Sequence, residues 1–422
     1  MSGFTFLYFI GIYAIMTFEI VLLIMNYRFS TKPPIAVPGV LRDVYTPELV
    51  EKSILYTKAR GELQIFSTLV EFAFVTAGIF WLFPLIERVA VSLTGSFVWQ
   101  GVLFFAILAL IGYLSMLPFH VYSTFVLERR FGFNKTAPAT FIADSLKEIL
   151  LIAAIGVPLL ALSLMAIEKL AYWWIYLLLG IILFQLLSGL LYPVLILPLF
   201  SKLKPLEDGQ LKQAIFDLSK RSGFEVKSIF VMDASKRTGH TNAFFTGFGK
   251  ARRIVLYDTL IEKHSLSEIE AIFAHEAGHY KYRHTLKGTV ISSATTGLSI
   301  FLLWFMVRSG IIETIFAVER EFTALLYSGV FVMSLFSVFG WLGSYISRRW
   351  EFAADSYAAE IMGTAGPMID ALKRLSASNL SNLRPHPLYT ALNYSHPTTL
   401  ERIEKLCKID SNIDEEIKGV KS

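Results

Sequence analysis

Two histidines and a glutamate set the chemistry this chain could perform. In Ala274-His275-Glu276-Ala277-Gly278-His279-Tyr280 the histidines stand four residues apart, which puts both imidazoles on one helix face, one turn above the other. That spacing suits two nitrogen ligands on a single zinc ion. Glu276 sits between them, where a carboxylate can reach an open coordination position and take a proton from a water whose pKa zinc lowers to about 7. The competing reading is two incidental helix histidines. Against it, Ser265 with Glu268 forms a capping-box pair that opens a helix through about Tyr282, in a polar part of the chain.

A catalytic zinc takes three protein ligands and leaves one position open. The single cysteine, Cys407, excludes both a thiolate cage and an internal disulfide, so the third ligand is to be sought among Asp, Glu and His. In Ser347-Arg348-Arg349-Trp350-Glu351-Phe352-Ala353-Ala354-Asp355 two carboxylates lie four apart on one helical face. Glu351 as ligand and Asp355 as the partner of a ligand imidazole would be a conventional division of labour. A juxtamembrane pair of surface carboxylates balancing Arg348 and Arg349 explains the same letters, and spacing alone does not choose. Further on, Asn393-Tyr394-Ser395-His396-Pro397-Thr398 places His396 just before a second capping pair, Thr398 with Glu401. A histidine at such a junction can aim into a cleft and stabilise a developing oxyanion, although composition alone does not show it.

The elements that must position these residues are mostly apolar. Of 422 residues, 54% are hydrophobic and 17% charged, and the mean hydropathy of +0.54 is that of a membrane protein. Seven stretches are long enough to cross a hydrocarbon core that needs about 20 residues: Thr5 to Met25, Ile65 to Ile86, Phe97 to Leu117, Ile149 to Ile167, Trp173 to Leu199, Thr289 to Val307 and Ala324 to Ile346. The first lacks a basic leading region and a small-residue cleavage site, so it reads as a retained span rather than a signal peptide. The net charge of +5 belongs to loops; no basic run interleaved with aromatics points to nucleic acid.

Basic residues also orient the spans. Arg28, Lys32, Arg42, Lys52, Lys58 and Arg60 follow the first, and Arg129, Arg130, Lys135 and Lys147 follow the third, against only Arg88, Lys169, Arg308 and Arg320 in the alternate loops. The first set is expected to be cytoplasmic. The chain then divides into a five-span region 1–200, a first protease segment 201–286, two spans 287–347 and a second protease segment 348–422. The polar segments should form one split domain, mainly helical, with short strands at Lys227 to Met232 and Arg253 to Tyr257 and an extended edge at Asn242 to Phe248.

Taken together these marks resemble the type 1 CAAX prenyl proteases, membrane zinc endopeptidases of the gluzincin type that process farnesylated proteins and a-factor-like precursors. The resemblance rests on Glu128-Arg129-Arg130-Phe131-Gly132-Phe133-Asn134, Asn242-Ala243, the His-Glu-Ala-Gly-His helix, Glu351 to Asp355, and Ser395-His396-Pro397 with Arg402, in family order across nearly the whole chain. It implies seven transmembrane helices forming a barrel around a large chamber, capped by a cytoplasmic zinc domain whose active site faces inward. It further implies one Zn2+ held by His275, His279 and Glu351. Asp355 would be a catalytic-site acid, His396 and Arg402 would stabilise the scissile carbonyl, and Asn242-Ala243 would lie on an edge strand that pairs with an extended substrate.

The expected partners are a peptide or protein substrate, prenylated if the resemblance extends that far, and the lipid bilayer; oligomeric state stays open. No retrieval signal is recognisable, so a bacterial plasma membrane and an endoplasmic-reticulum membrane both fit. Three other functions compete. A protease whose zinc helix is itself a span would bury Glu262, Lys263, His264, Glu268, Glu270, Lys281 and Arg283 in lipid at high cost. The smaller heat-shock membrane proteases have fewer spans and lack the Phe-Gly-Phe-Asn element. A channel or transporter would leave Glu276 unexplained.

Overall fold

The computed structural model describes residues 3–32, 37–223, 226, 228–246 and 253–420. Five long helices come first: α1 (Gly3–Thr31), α2 (Pro47–Leu93), α3 (Phe97–Phe131), α4 (Pro138–Lys169) and α5 (Trp173–Phe200). There follow β1 (Leu203–Pro205), α6 (Gln210–Arg221), β2 (Ser228–Met232), β3 (Ala243–Thr246), β4 (Arg253–Tyr257), α7 (Asp258–Lys263) and α8 (Leu266–Lys281). Two more apolar helices, α9 (His284–Arg308) and α11 (Glu321–Met362), flank the short α10 (Ile311–Phe316). Then come α12 (Gly366–Ser378), α13 (Pro387–Asn393) and α14 (Thr399–Val420). Lys227, Gly247 and Phe248, expected in strands, lie outside the described residues.

Among the described residues, seven helices are long and apolar enough to cross a membrane, and the chain is a multi-pass integral membrane protein. Several run well beyond the apolar stretches that mark them. α2 begins at Pro47, where Thr46 Oγ1 accepts the Leu49 N–H at 3.3 Å, and its first turns are polar. Helical hydrogen bonding does not end where lipid ends, so hydropathy underestimates such helices. Three spans contain a wider π turn, at Gly78–Leu82, Ser123–Glu128 and Tyr192–Ile196, the last holding Pro193, whose missing N–H a wider turn accommodates.

The spans close a ring: α1 packs on α2, α2 on α3, α3 on α4, α4 on α5, α5 on α9, α9 on α11, and α11 again on α1. Seven axes about 9 Å apart lie on a circle of radius roughly 10 Å. Helices of about 5 Å half-width then leave a lumen on the order of 10 Å across. In every span most side chains of the apolar window are not buried, because one face meets lipid and another meets this chamber.

The two polar segments, separated by α9 to α11, share one hydrophobic core. Ile215, Leu218, Ile254, Leu256, Ala271 and Ala274 from the first pack with Ala358, Met368, Leu372 and Leu406 from the second, so both lie on the same side of the membrane. The sheet runs β1-β2-β4-β3, with β2 and β4 parallel and the outer pairs antiparallel. β3 is therefore an edge strand.

Candidate metal centre

The helix that carries both histidines starts as its sequence requires. Ser265 Oγ accepts the Glu268 N–H at 3.3 Å, and the Glu268 carboxylate reaches back to the Ser265 N–H at 3.4 Å. From there α8 runs unbroken through His275 and His279, and it packs on the far end of α11. Gly278 makes that crossing close: a Cβ on it would stand 2.8 Å from Ala354 Cα and 3.1 Å from Ala354 O. Ala354 lies between Glu351 and Asp355, so the close approach delivers both carboxylates to the histidine face.

The resulting triangle has the size of a zinc site. His275 Nε2 is 3.1 Å from His279 Nε2 and 3.4 Å from Glu351 Oε2, and His279 Nε2 is 3.2 Å from Glu351 Oε1. A tetrahedron with metal–ligand arms of about 2.05 Å has edges of about 3.3 Å. These three are also the only group among the described residues whose donor atoms gather within 4.8 Å as a metal cluster would. Tautomers sharpen the fit. His275 Nδ1 donates to Asp355 Oδ1 at 2.8 Å, which leaves a lone pair on Nε2 facing the other two ligand atoms. Glu351 Oε2 is buried with no hydrogen-bond partner among the described residues. Converging lone pairs repel unless a cation lies between them, so the residues fit zinc.

The surrounding shell was only partly anticipated. Asp355, 2% exposed at its side chain, accepts from Arg402 Nη2 at 2.6 Å and Nε at 2.8 Å as well as from His275. Arg402 Nη1 stands 3.7 Å from Glu351 Oε2. Two of its three nitrogens are thus engaged by Asp355, and the arginine neutralises the carboxylates that face the histidines. His396 Nε2 lies 3.4 Å from Glu351 Oε1, its Nδ1 is 2.9 Å from Ser395 Oγ, and the Thr398–Glu401 capping box behind it is formed.

His284 escaped the sequence reading. Its Nδ1 is 3.0 Å from His279 Nδ1 and its ring stacks on Trp350 at 4.9 Å, so with Nδ1 unprotonated it can accept from His279 as Asp355 accepts from His275. The signal for it is a histidine five residues on, just past a helix end where Arg283 takes a left-handed φ of 55°. That turn swings α9 back toward the ligand.

A cavity of about 1220 Å³ opens over the triangle, lined by His275, Glu276, His279, Glu351, His396 and Arg402 and by Asn242 to Phe245 of the edge-strand region. Leu186, Leu286 and Trp350 give it an apolar side toward the membrane helices. Glu276 is partly buried. Burial raises the pKa of its carboxyl, against the pull of both histidines and Arg402. Asp355 does not line the cavity.

A ring of apolar helices around a chamber, with a His-Glu-x-x-His helix and a distant glutamate meeting beneath it, defines a membrane-embedded zinc metalloendopeptidase. Residues 26–202 match the family described as CAAX prenyl protease N-terminal, five membrane helices, and residues 205–410 match peptidase family M48. The chain is 35% identical to CAAX prenyl protease 1 of Saccharomyces cerevisiae, covering 87% of this chain and 88% of that one. It is 33% identical to the CAAX prenyl protease 1 homolog of Dictyostelium discoideum, covering 91% and 93%. The crystal structure of S. mikatae Ste24p superposes with a TM-score of 0.90 at 33% identity, covering 96% of this chain and 99% of that one. This chain belongs to the CAAX prenyl protease 1 family of M48 peptidases.

Proposed function

We propose that this zinc metalloendopeptidase removes the C-terminal tripeptide of prenylated CAAX proteins, with its protease domain on the cytoplasmic side. The observation that carries the reading is the tetrahedral-sized triangle of His275, His279 and Glu351 opening onto a cavity bounded by an edge strand and apolar helices. The relatives, CAAX prenyl proteases, supply the substrate class. Orientation follows from the basic residues in the α1–α2 and α3–α4 connections and in the flanking helix ends.

His275, His279 and Glu351 would hold zinc, which would supply Lewis-acid chemistry at the peptide carbonyl and at a water. The chain's own groups do the rest. An extended peptide lies along the outer edge of β3, its backbone directed by Asn242 and Ala243 as strand addition directs it. Glu276 accepts the proton of the attacking water and returns it to the leaving amine; burial raises its pKa, the direction that favours taking up a proton. His396, with Nε2 toward the ligands, donates to the oxygen that becomes negative. Asp355 and His284 keep the Nε2 atoms of His275 and His279 aimed, and Arg402 holds Asp355. The apolar wall beside Leu286 and Trp350 suits a prenyl chain.

The test is cleavage of a prenylated CAAX peptide by the purified protein in detergent. Activity should vanish on chelation, return with stoichiometric zinc, and fall at least tenfold for the same peptide without its prenyl group. Cleavage by zinc-depleted protein would refute the zinc chemistry, and equal cleavage of both peptides would refute the substrate class.

A further inference from the structure

Arg348 stands on α11 one turn before Glu351, and its guanidinium is committed to backbone. Nη1 donates to the carbonyls of Thr390 at 3.1 Å and Tyr394 at 2.7 Å, and Nη2 to that of Ala391 at 2.9 Å. These oxygens belong to the last turn of α13 and the residue that ends it, where positive charge is favoured; the Thr390 carbonyl also accepts the Tyr394 N–H at 3.1 Å. No carboxylate binds Arg348 among the described residues, so balancing surface acids does not explain it.

What the anchored segment carries is His396, two residues beyond Tyr394. The His396 side chain is 61% exposed, so packing does not hold its ring; the path of its backbone must. The contacts form a closed circuit. Arg348 grips 390 to 394, Ser395 Oγ meets His396 Nδ1, and His396 Nε2 returns to Glu351 Oε1, one turn along α11 from Arg348. We infer that Arg348 is a positioning residue that ties the His396 loop to the helix bearing Glu351, so that the imidazole meets the reacting carbonyl. The inference rests on the reading of His396 as the oxyanion donor. A planar guanidinium can serve three carbonyls at once from fixed directions; an ammonium at the end of a flexible stem does so poorly.

The experiment compares wild type, Arg348→Gln, Arg348→Lys, His396→Ala and the two double variants with His396→Ala, reading kcat, KM, bound zinc and Tm. His396→Ala should lower kcat on the order of 100-fold, as loss of one oxyanion donor does. Arg348→Gln should lower kcat 10- to 100-fold with KM and zinc stoichiometry unchanged, since a misplacement of about 1 Å costs that much. In the His396→Ala background the same change should cost less than twofold. Arg348→Lys should remain at least fivefold slow, and it carries the same comparison if the glutamine variant does not fold. Equal losses from the Arg348 changes with and without His396, or lost zinc, would overturn the inference while leaving the His396 reading intact. An unchanged kcat in His396→Ala would instead refute the oxyanion reading and the inference with it.

Discussion

Gly278→Ala tests whether one helix crossing builds the metal centre. The added methyl would lie 2.8 Å from Ala354 Cα, 3.1 Å from Ala354 O and 3.2 Å from Ala354 Cβ, where ordinary contact begins at 3.4 Å. The nearest atoms are backbone, so no side-chain rotation relieves the clash, and Ala354→Gly would remove only the 3.2 Å contact. α8 and α11 must therefore separate by about 0.6 Å or more. Zinc tolerates ligand distances within about 0.2 Å of ideal, and the shift moves Glu351 away from both histidines. Zinc affinity should fall 10- to 100-fold, as when ligand support is lost. Global stability should fall by no more than about 2 kcal/mol: overpacking costs about 1–3 kcal/mol, and replacing a helical glycine with alanine returns about 1 kcal/mol. Chelator competition measures the affinity and thermal unfolding of the zinc-free protein the stability. Wild-type zinc affinity in Gly278→Ala would refute the argument that this approach sets the triangle; equal damage to stability and affinity would show a general packing defect instead.

Glu276→Gln should retain zinc and fold while kcat drops about 100- to 10,000-fold, because the amide cannot accept the water's proton; brisk turnover by the zinc-loaded variant would exclude Glu276 as base. Glu351→Ala should lose zinc outright, whereas Asp355→Ala should weaken zinc binding 10- to 100-fold through loss of the His275 Nδ1 bond; metal analysis that reverses this order would reassign the third ligand. His284→Phe keeps the stack on Trp350 but removes the partner of His279 Nδ1, and zinc affinity should fall about tenfold; unchanged affinity would mean His284 only packs. Cysteine labels at Arg88 and Glu313 should react from outside and labels at Lys52, Lys135, Glu207 and Asp410 from the cytoplasm, the basic loops dictating the sides; the inverse pattern would reverse the proposed orientation.

The sequence by itself determined the local geometry. A four-residue interval puts His275 and His279 on one face whatever surrounds them, and Ser265–Glu268 and Thr398–Glu401 form caps between residues three apart. The seven spans were legible for the same reason, since a long apolar run has few places to go but lipid. Only the tertiary structure decided that Glu351 is not a surface acid. Its meeting with histidines more than seventy residues earlier depends on two intervening spans and on a glycine that lets two backbones touch. The Asp355–Arg402 clamp and the Arg348 anchor are likewise decided by packing between distant segments, and the His279–His284 pair by the left-handed turn at Arg283. No spacing rule reaches across such distances, because periodicity records which residues share a face and not which face it will meet.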